Sequence, residues 1–237
     1  MQQPLFRVVD LGSHKMCAFD GYNRKARNAF GNGSRFEFVA VDRKKKDAIA
    51  FLRHGISQKT SNFLRREKHE ATLSYVESTL PACMRHFEGS SVSQVHFHMF
   101  SGELSEARIG NFLHDISRVL VRDGLLFVSL DEQMFSDEMM SARSGRVLAV
   151  FDNMLGAQFK LIFRSFLRNR PENPQGEGSV ILLSKELELP PMLSEEAVKL
   201  SASFGVPLST RKPWVFFRQF SECAERFGYY FAIAKKE

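Results

Sequence analysis

The sequence predicts an α/β fold built on a largely parallel β-sheet. Three observations lead there. Short apolar runs alternate with helical stretches over the first two-thirds of the chain. One amphipathic helix leads straight into such a run, and glycines or acids stand where the runs end.

The elements follow in order. Residues 5–11 read as a first strand closed by a Gly12 turn, and 36–42 as a second ending in Asp42. A basic helical segment extends to about Arg66, a third strand covers 71–77 and a fourth 92–100. Ser105 can cap the next helix, in which Ile109, Phe112, Leu113, Ile116 and Leu120 share one face. It is expected to close at Arg122-Asp123-Gly124, with Gly124 as the left-handed residue. A fifth strand follows at 125–130, meeting Asp131, and a helix at 135–154. The last third offers strands at 160–168 and 179–184 joined by a Pro/Gly-rich loop, and a short helix capped at Ser194. A loop at 207–213, a helix at 216–226 and a strand at 229–234 complete it.

Length and composition set the bounds. The 237 residues suit a single domain over 1–237, with an inserted or extended segment at about 171–212. Values of 43% hydrophobic and 25% charged exclude a disordered chain or a fibre. No apolar run approaches the ~18–20 residues of a membrane helix. No targeting segment is visible before the first strand, and a presequence already removed would leave the same picture. The three cysteines, Cys17, Cys83 and Cys223, are far apart and odd in number, so they imply no disulfide framework, and the lack of a Cys-x-x-Cys argues against structural zinc. The expected compartment is therefore reducing: the cytoplasm or an organelle matrix, mitochondrial if a presequence was removed.

The net charge of +6 is unevenly spread. Basic clusters stand at Arg24, Lys25 and Arg27, at Arg43, Lys44, Lys45 and Lys46, and at Arg65, Arg66 and Lys68. A fourth comprises Lys160, Arg164, Arg168 and Arg170. Any one of them suits a solvated face; together they point to an RNA partner, tRNA or rRNA, through phosphate contacts.

In open α/β sheets ligands bind beyond the carboxyl ends of the strands, near the point where strand order reverses. Strand one ends Asp10-Leu11-Gly12-Ser13, and strand two ends at Asp42. Glycine admits close backbone approach, and an acid on the next strand can accept ribose hydroxyls. A nucleoside cofactor fits this pair. There is neither Gly-x-Gly-x-x-Gly nor a P-loop, so dinucleotides and P-loop nucleotides are disfavoured, whereas S-adenosylmethionine carries no phosphate.

The order strand–glycine turn, strand–acid, strand, strand, then Arg118-Val119-Leu120-Val121-Arg122-Asp123-Gly124-Leu125-Leu126-Phe127-Val128-Ser129, resembles class I S-adenosylmethionine-dependent methyltransferases. Within that class the chain is most similar to tRNA (guanine-N7) methyltransferases. Leu130-Asp131-Glu132-Gln133-Met134-Phe135 resembles their Thr-Asp-x-x-x-Tyr segment. Gln219 to Gly228 resembles their final Lys-Phe-Glu-x-x-Gly-x-x-x-Gly segment. The class resemblance covers roughly 5–165 and 214–236. It implies a Rossmann-like, mostly parallel seven-stranded sheet with helices on both faces, and S-adenosyl-L-methionine as cofactor. Asp10, Gly12, Ser13, Asp42 and Glu77 would hold the cofactor, and Asp131 would be the catalytic residue nearest the acceptor.

Departures from the family weigh on that implication. His14 and Met16 stand where further glycines belong, and Met99 to Glu103 replaces Phe-Pro-Asp-Pro-Trp. Arg218 and Ser221 occupy the guanine-holding positions. Two readings follow. One is an RNA methyltransferase. The other is an inactive homologue, a pseudoenzyme that binds RNA or helps assemble a ribonucleoprotein such as a (mito)ribosomal particle, with 171–212 as a docking surface. A small-molecule methyltransferase suits the basic clusters less well.

Two constellations remain. His96 and His98 share one face of strand four and could join Asp131 as a metal or general-base site. Hydrogen-bonded sheet residues are the favoured account, and no third and fourth zinc ligand is identifiable, so no metal is expected. The 23 phenylalanines fit core packing, with Phe216 and Phe217 beside Trp214 as candidates for stacking on bases.

Overall fold

A computed structural model describes residues 5–12, 29–30, 33–43, 58–80, 82–100, 106–131, 138–166, 189–217, 220 and 230–237. For 58–60, 63, 99–100, 131 and 138–145 it describes the backbone alone. Eight strands form one sheet: β1 Leu5–Leu11, β2 Arg35–Asp42, β3 Glu70–Glu77, β4 Val92–Phe100, β5 Leu120–Asp131, β6 Lys160–Phe166, β7 Met192–Leu193 and β8 Tyr230–Lys235. Five described α-helices accompany them: α1 Gln58–Arg66, α2 Glu106–Val119, α3 Glu138–Gln158, α4 Glu195–Ser203 and α5 Pro213–Phe217. A 3-10 turn covers Ala82–His86.

The strand order is β3-β2-β1-β4-β5-β8-β6-β7. The first five are mutually parallel, while β8 runs antiparallel to both β5 and β6, and β7 antiparallel to β6. This is a doubly wound Rossmann-like sheet whose order reverses between β1 and β4. It has eight strands rather than the expected seven, because two residues at the rim pair with Phe163 and Arg164.

Strand alternation divides the apolar residues into two layers. On one face Val9, Leu11, Val95, Phe97 and Val128 pack under the 3-10 turn, α2 and α3, with Ile109, Phe112, Leu113 and Ile116 meeting Leu148, Phe151 and Leu155. The two helices approach closely at Gly110, where a Cβ would already touch Met154 Sδ at 3.4 Å. The other face is rich in phenylalanine: Phe36, Phe38, Phe127, Phe163 and Phe231 lie beneath Leu64 of α1, Ala197 of α4, Phe204, Phe216, Phe217 and Phe220. Burying each such side chain contributes roughly 1.5–3 kcal/mol. Core packing thus accounts for Phe216 and Phe217, which are fully buried and cannot stack on bases.

Several expectations need correcting. Helix α2 stops at Val119, and Leu120, on the helical face by period, opens β5 instead and pairs with Val92. Asp123, not Gly124, takes the left-handed conformation (φ 62°). Gly124 is required for space: a Cβ there would lie 2.8 Å from the Val121 carbonyl and 3.2 Å from that of Ser93. Ser194 does cap α4, accepting from the Ala197 N–H at 3.2 Å. The described part of the 171–212 segment is packed onto the second layer through Ala197, Phe204, Val206 and Leu208. The expected strand at 179–184 and most of the expected helix at 216–226 lie outside the described residues. Cys83 is a buried free thiol that burial pushes up to about 12, an unreactive core residue. Among the described residues no helix is long and apolar enough to cross a membrane.

Candidate functional site

The parallel strands β3, β2, β1, β4 and β5 all end at the same rim, and the reversal of order opens that rim between β1 and β4. The sequence places polar residues there. Val8, Phe38, Tyr75 and Phe127 belong to the phenylalanine-rich layer. By alternation Asp10, Asp42, Glu77, His96, His98 and Ser129 lie on that same face. Register orders them laterally: Asp42 beside Glu77, Asp10 beside Ala40 and His96, and His98 beside Ser129.

Gly12 closes β1 with φ 74°, and its N–H donates to the Val41 carbonyl at 3.0 Å. A Cβ at Gly12 would stand 3.0 Å from the His98 carbonyl oxygen. Both the dihedral and the space therefore demand glycine, and bare main chain is presented at the tip of β1. One strand over, an Asp42 carboxylate oxygen accepts from the Arg43 N–H at 2.6 Å. The Asp42 carbonyl accepts from Tyr75 Oη at 3.0 Å and from the Ser78 N–H at 2.9 Å. These contacts fix the acid beside Gly12. Asp10 is buried one turn of the pleat below.

Of the other expected cofactor residues, Glu77 is exposed on edge strand β3, two strands from β1, and Ser13 lies outside the described residues. The Asp131 backbone ends β5 opposite Phe100. His14, Met16, Arg218 and Ser221 also lie outside the described residues.

The histidines differ from each other. His96 is fully buried, stacked on Phe127 at 4.6 Å and flanked by Phe220 at 5.7 Å. Its Nε2 reaches Gln94 Oε1 at a long 3.4 Å, while Nδ1 has no partner among the described residues. His98 is partly exposed as a residue, yet both ring nitrogens are shielded from solvent and neither has a hydrogen-bond partner among the described residues. The favoured account of a hydrogen-bonded sheet residue therefore describes His96 loosely and His98 not at all. Burial pushes the His98 imidazole down to about 4. Burial, and then the neighbouring His98, hold His96 well below its ordinary range. Both rings are neutral at pH 7. No group of three metal-ligating side chains gathers among the described residues.

The basic clusters separate. Arg65, Arg66 and Lys68 are exposed just before β3 begins, at the opposite end of the strands from Gly12, whereas Arg43 is exposed at the site rim. Arg164 departs from the expected phosphate-binding set. Its Nη1 meets Asp152 Oδ2 at 2.6 Å and its Nε donates to the Pro190 carbonyl at 3.0 Å, leaving its side chain 13% exposed. Tyr230 Oη donates to the other Asp152 oxygen at 2.6 Å, so Arg164 completes an internal network. Lys160 pairs with Glu196 at 2.8 Å. Lys44, Lys45, Lys46, Arg168 and Arg170 lie outside the described residues.

Sequence reasoning passed over Gln94, Ser129 and Phe220. Ser129 carries a signal, as a polar residue on the face of β5 that also holds Leu125 and Phe127.

No protein-family model matches the chain, and no curated protein matches it in sequence. Solved structures do resemble it. An S-adenosylmethionine-dependent methyltransferase from Archaeoglobus fulgidus is 13% identical, with 99% of this chain and 87% of that chain covered, at a TM-score of 0.44. The geranyl diphosphate C-methyltransferase of Streptomyces coelicolor A3(2), solved with Mg2+, geranyl diphosphate and S-adenosyl-L-homocysteine, is 14% identical. There 100% and 74% of the chains are covered, at a TM-score of 0.40. The [4+2]-cyclase SpnF is 15% identical over 99% and 75%, at 0.42. No comparison singles out the tRNA (guanine-N7) methyltransferases. The chain itself has a Rossmann-like α/β fold, a mostly parallel sheet whose order reverses between β1 and β4.

Proposed function

We propose that the chain binds S-adenosylmethionine across the rim of β2, β1 and β4 and methylates an acceptor carried by RNA. The observation that supports this most is Gly12, exposed at the tip of β1 with a φ of 74° and no side chain to bar a ligand. Asp42 beside it offers a carboxylate to a ribose. The set suits a nucleoside, whose hydroxyls can donate to the Asp42 carboxylate.

When bound, this cofactor supplies a methyl group on a positively charged sulfur. The residues of the chain position and exclude. The Gly12 main chain admits the nucleoside, Asp42 orients its sugar, and the phenylalanine-rich layer keeps water from beneath. Asp131, at the tip of β5, is the acid nearest the acceptor in this reading. An acceptor nitrogen with a free lone pair needs little acid–base help, so alignment supplies most of the acceleration.

RNA enters through the exposed Arg65, Arg66 and Lys68. They precede β3, whose eight residues span about 26 Å at ~3.3 Å each. A ligand touching both these cations and the Gly12 rim is roughly that long, which suits a nucleic acid better than a metabolite.

Isothermal titration with S-adenosylhomocysteine tests the reading. Saturable binding is expected, weakened about tenfold or more in Asp42→Ala by loss of a charge-assisted hydrogen bond. Absent binding, or an unchanged Asp42→Ala, overturns it. The second reading, RNA binding without catalysis, draws on His14 and Met16 at positions where the family has glycine. It requires RNA affinity in a protein that ignores S-adenosylhomocysteine.

A further inference from the structure

The loop before α5 carries charge that the internal packing does not use. Ser165 of β6 donates its hydroxyl hydrogen to the Thr210 carbonyl. Register sets Ser165 beside Phe231, Phe231 beside Ser129 and Ser129 beside His98, whose carbonyl faces Gly12. Thr210 is therefore fastened at the same level of the sheet as Gly12. Four strand steps of ~4.8 Å separate β1 from β6, so the two points stand about 19 Å apart along one rim.

Arg211 and Lys212 come next, and both are exposed. The Arg211 N–H donates to Ser209 Oγ at 3.2 Å, and the Lys212 carbonyl accepts from the Val215 N–H at 3.3 Å, which holds their main chain in place. Neither side chain has an ion-pair or hydrogen-bond partner among the described residues. The other end of β6 is different, for there Lys160 and Lys235 share Glu196. Trp214, the single tryptophan of the chain, follows. It is partly buried against the phenylalanine-rich layer and makes no ring contact among the described residues, whereas Phe216 and Phe217 beyond it are fully buried. Unpaired cations beside an accessible indole have the makeup of a surface for single-stranded nucleic acid, on which cations meet phosphates and a ring meets a base.

We propose that Arg211, Lys212 and Trp214 receive an unpaired stretch of RNA at the β6 end of the rim, the two cations on phosphates and the indole on a base. The inference rests on the RNA reading above and adds a contact at the carboxyl ends of the strands, away from Arg65, Arg66 and Lys68. Exposed Arg43 follows β2, on the other side of Gly12 and five strand steps from β6. A strand held by Arg43 and Lys212 spans about 24 Å, or about seven nucleotides stacked at ~3.4 Å each, and passes Gly12 on the way. The indole selects a single strand, because the bases of a duplex already stack on one another.

The test uses a 12-nucleotide RNA of mixed sequence without self-pairing. As the single tryptophan, Trp214 reports directly: its emission should be quenched with the midpoint found by anisotropy of the labelled RNA. Arg211→Ala/Lys212→Ala should weaken binding about tenfold or more. It should also make the slope of log affinity against log salt shallower by about 1.4, at ~0.7 for each single-strand phosphate. Arg122→Ala/Lys160→Ala, which removes the same charge at the amino ends of β5 and β6, should stay within about twofold of wild type. Trp214→Ala should cost about fivefold or more, and Trp214→Phe, which keeps a ring and its packing, about threefold or less. Unquenched emission at saturation, equal losses in the two double variants, or equal quenching by an oligoglutamate, the sign of a surface for acidic peptides, overturns the assignment. If replacing Arg65, Arg66 and Lys68 weakens RNA binding and Arg211→Ala/Lys212→Ala does not, this inference alone falls. If the wild type does not bind the RNA, the RNA reading falls and takes this one with it.

Discussion

Acidification should destabilise the fold through His98, and the size of the effect follows from its surroundings. In the unfolded chain a histidine titrates near 6.5, whereas in the fold burial holds His98 near 4. The folded value is the depressed one, so the fold favours the neutral ring. The contribution is full above pH 6.5 and is lost as pH falls toward 4. The whole interval of about 2.5 pH units corresponds to about 3.4 kcal/mol, of which about 2 kcal/mol is lost between pH 7 and pH 5. For a chain of this size about 2 kcal/mol lowers Tm by about 4–8 °C. His96 and His69 are also held down by burial and contribute in the same direction, so the wild type alone does not isolate the effect. His98→Gln does, because glutamine does not titrate. Calorimetry or urea midpoints at pH 7 and pH 5 should show a drop smaller by about 2 kcal/mol in the variant. If His98→Gln loses as much stability as the wild type over that interval, or if the ring is found protonated at pH 6, the desolvation argument is wrong.

Two further outcomes are expected. Tyr230→Phe removes the 2.6 Å bond to Asp152 within a carboxylate site that is 5% exposed. The loss should be about 1.5–3 kcal/mol, a fall in Tm of about 3–12 °C by calorimetry, and Arg164→Met should cost more by leaving the buried acid unpaired. Replacing Arg65, Arg66 and Lys68 together with alanine should weaken RNA binding measured by filter retention. It should also flatten the dependence of log affinity on log salt by about 0.9 for each duplex phosphate that the variant no longer neutralises, and an unchanged slope removes those residues from the RNA surface.

The first half of the sheet was legible because its information is local. In β1, β2 and β4 the alternation of apolar residues, with a glycine or acid at the tip, registers both the strand and its face. That local record placed Gly12 and Asp42 side by side and put His96 and His98 on one face. What lay beyond reach depends on partners far along the chain. Leu120 obeys the helical period perfectly, but pairing with Val92 outweighs it. β7 is two residues long and leaves no pattern. Arg164 looked like one of a group of surface cations until Asp152, on the preceding helix, and Pro190 claimed its guanidinium. The surroundings of His96 have the same origin: Phe220, far along the chain, flanks its ring, and nothing near that histidine in sequence announces it.

The position of β8 governs how the chain can be made. This strand is inserted between β5 and β6, and through them it joins the parallel half of the sheet to its far edge. Until residues 230–235 emerge from a ribosome, β5 and β6 each hold an open edge with nothing to zip against, flanked by Phe127 and Phe163. Nascent or truncated forms thus display two sticky, unpaired strands at once. They are the forms on which chaperones and aggregation should compete, and the arrival of β8 ends that exposure in one step.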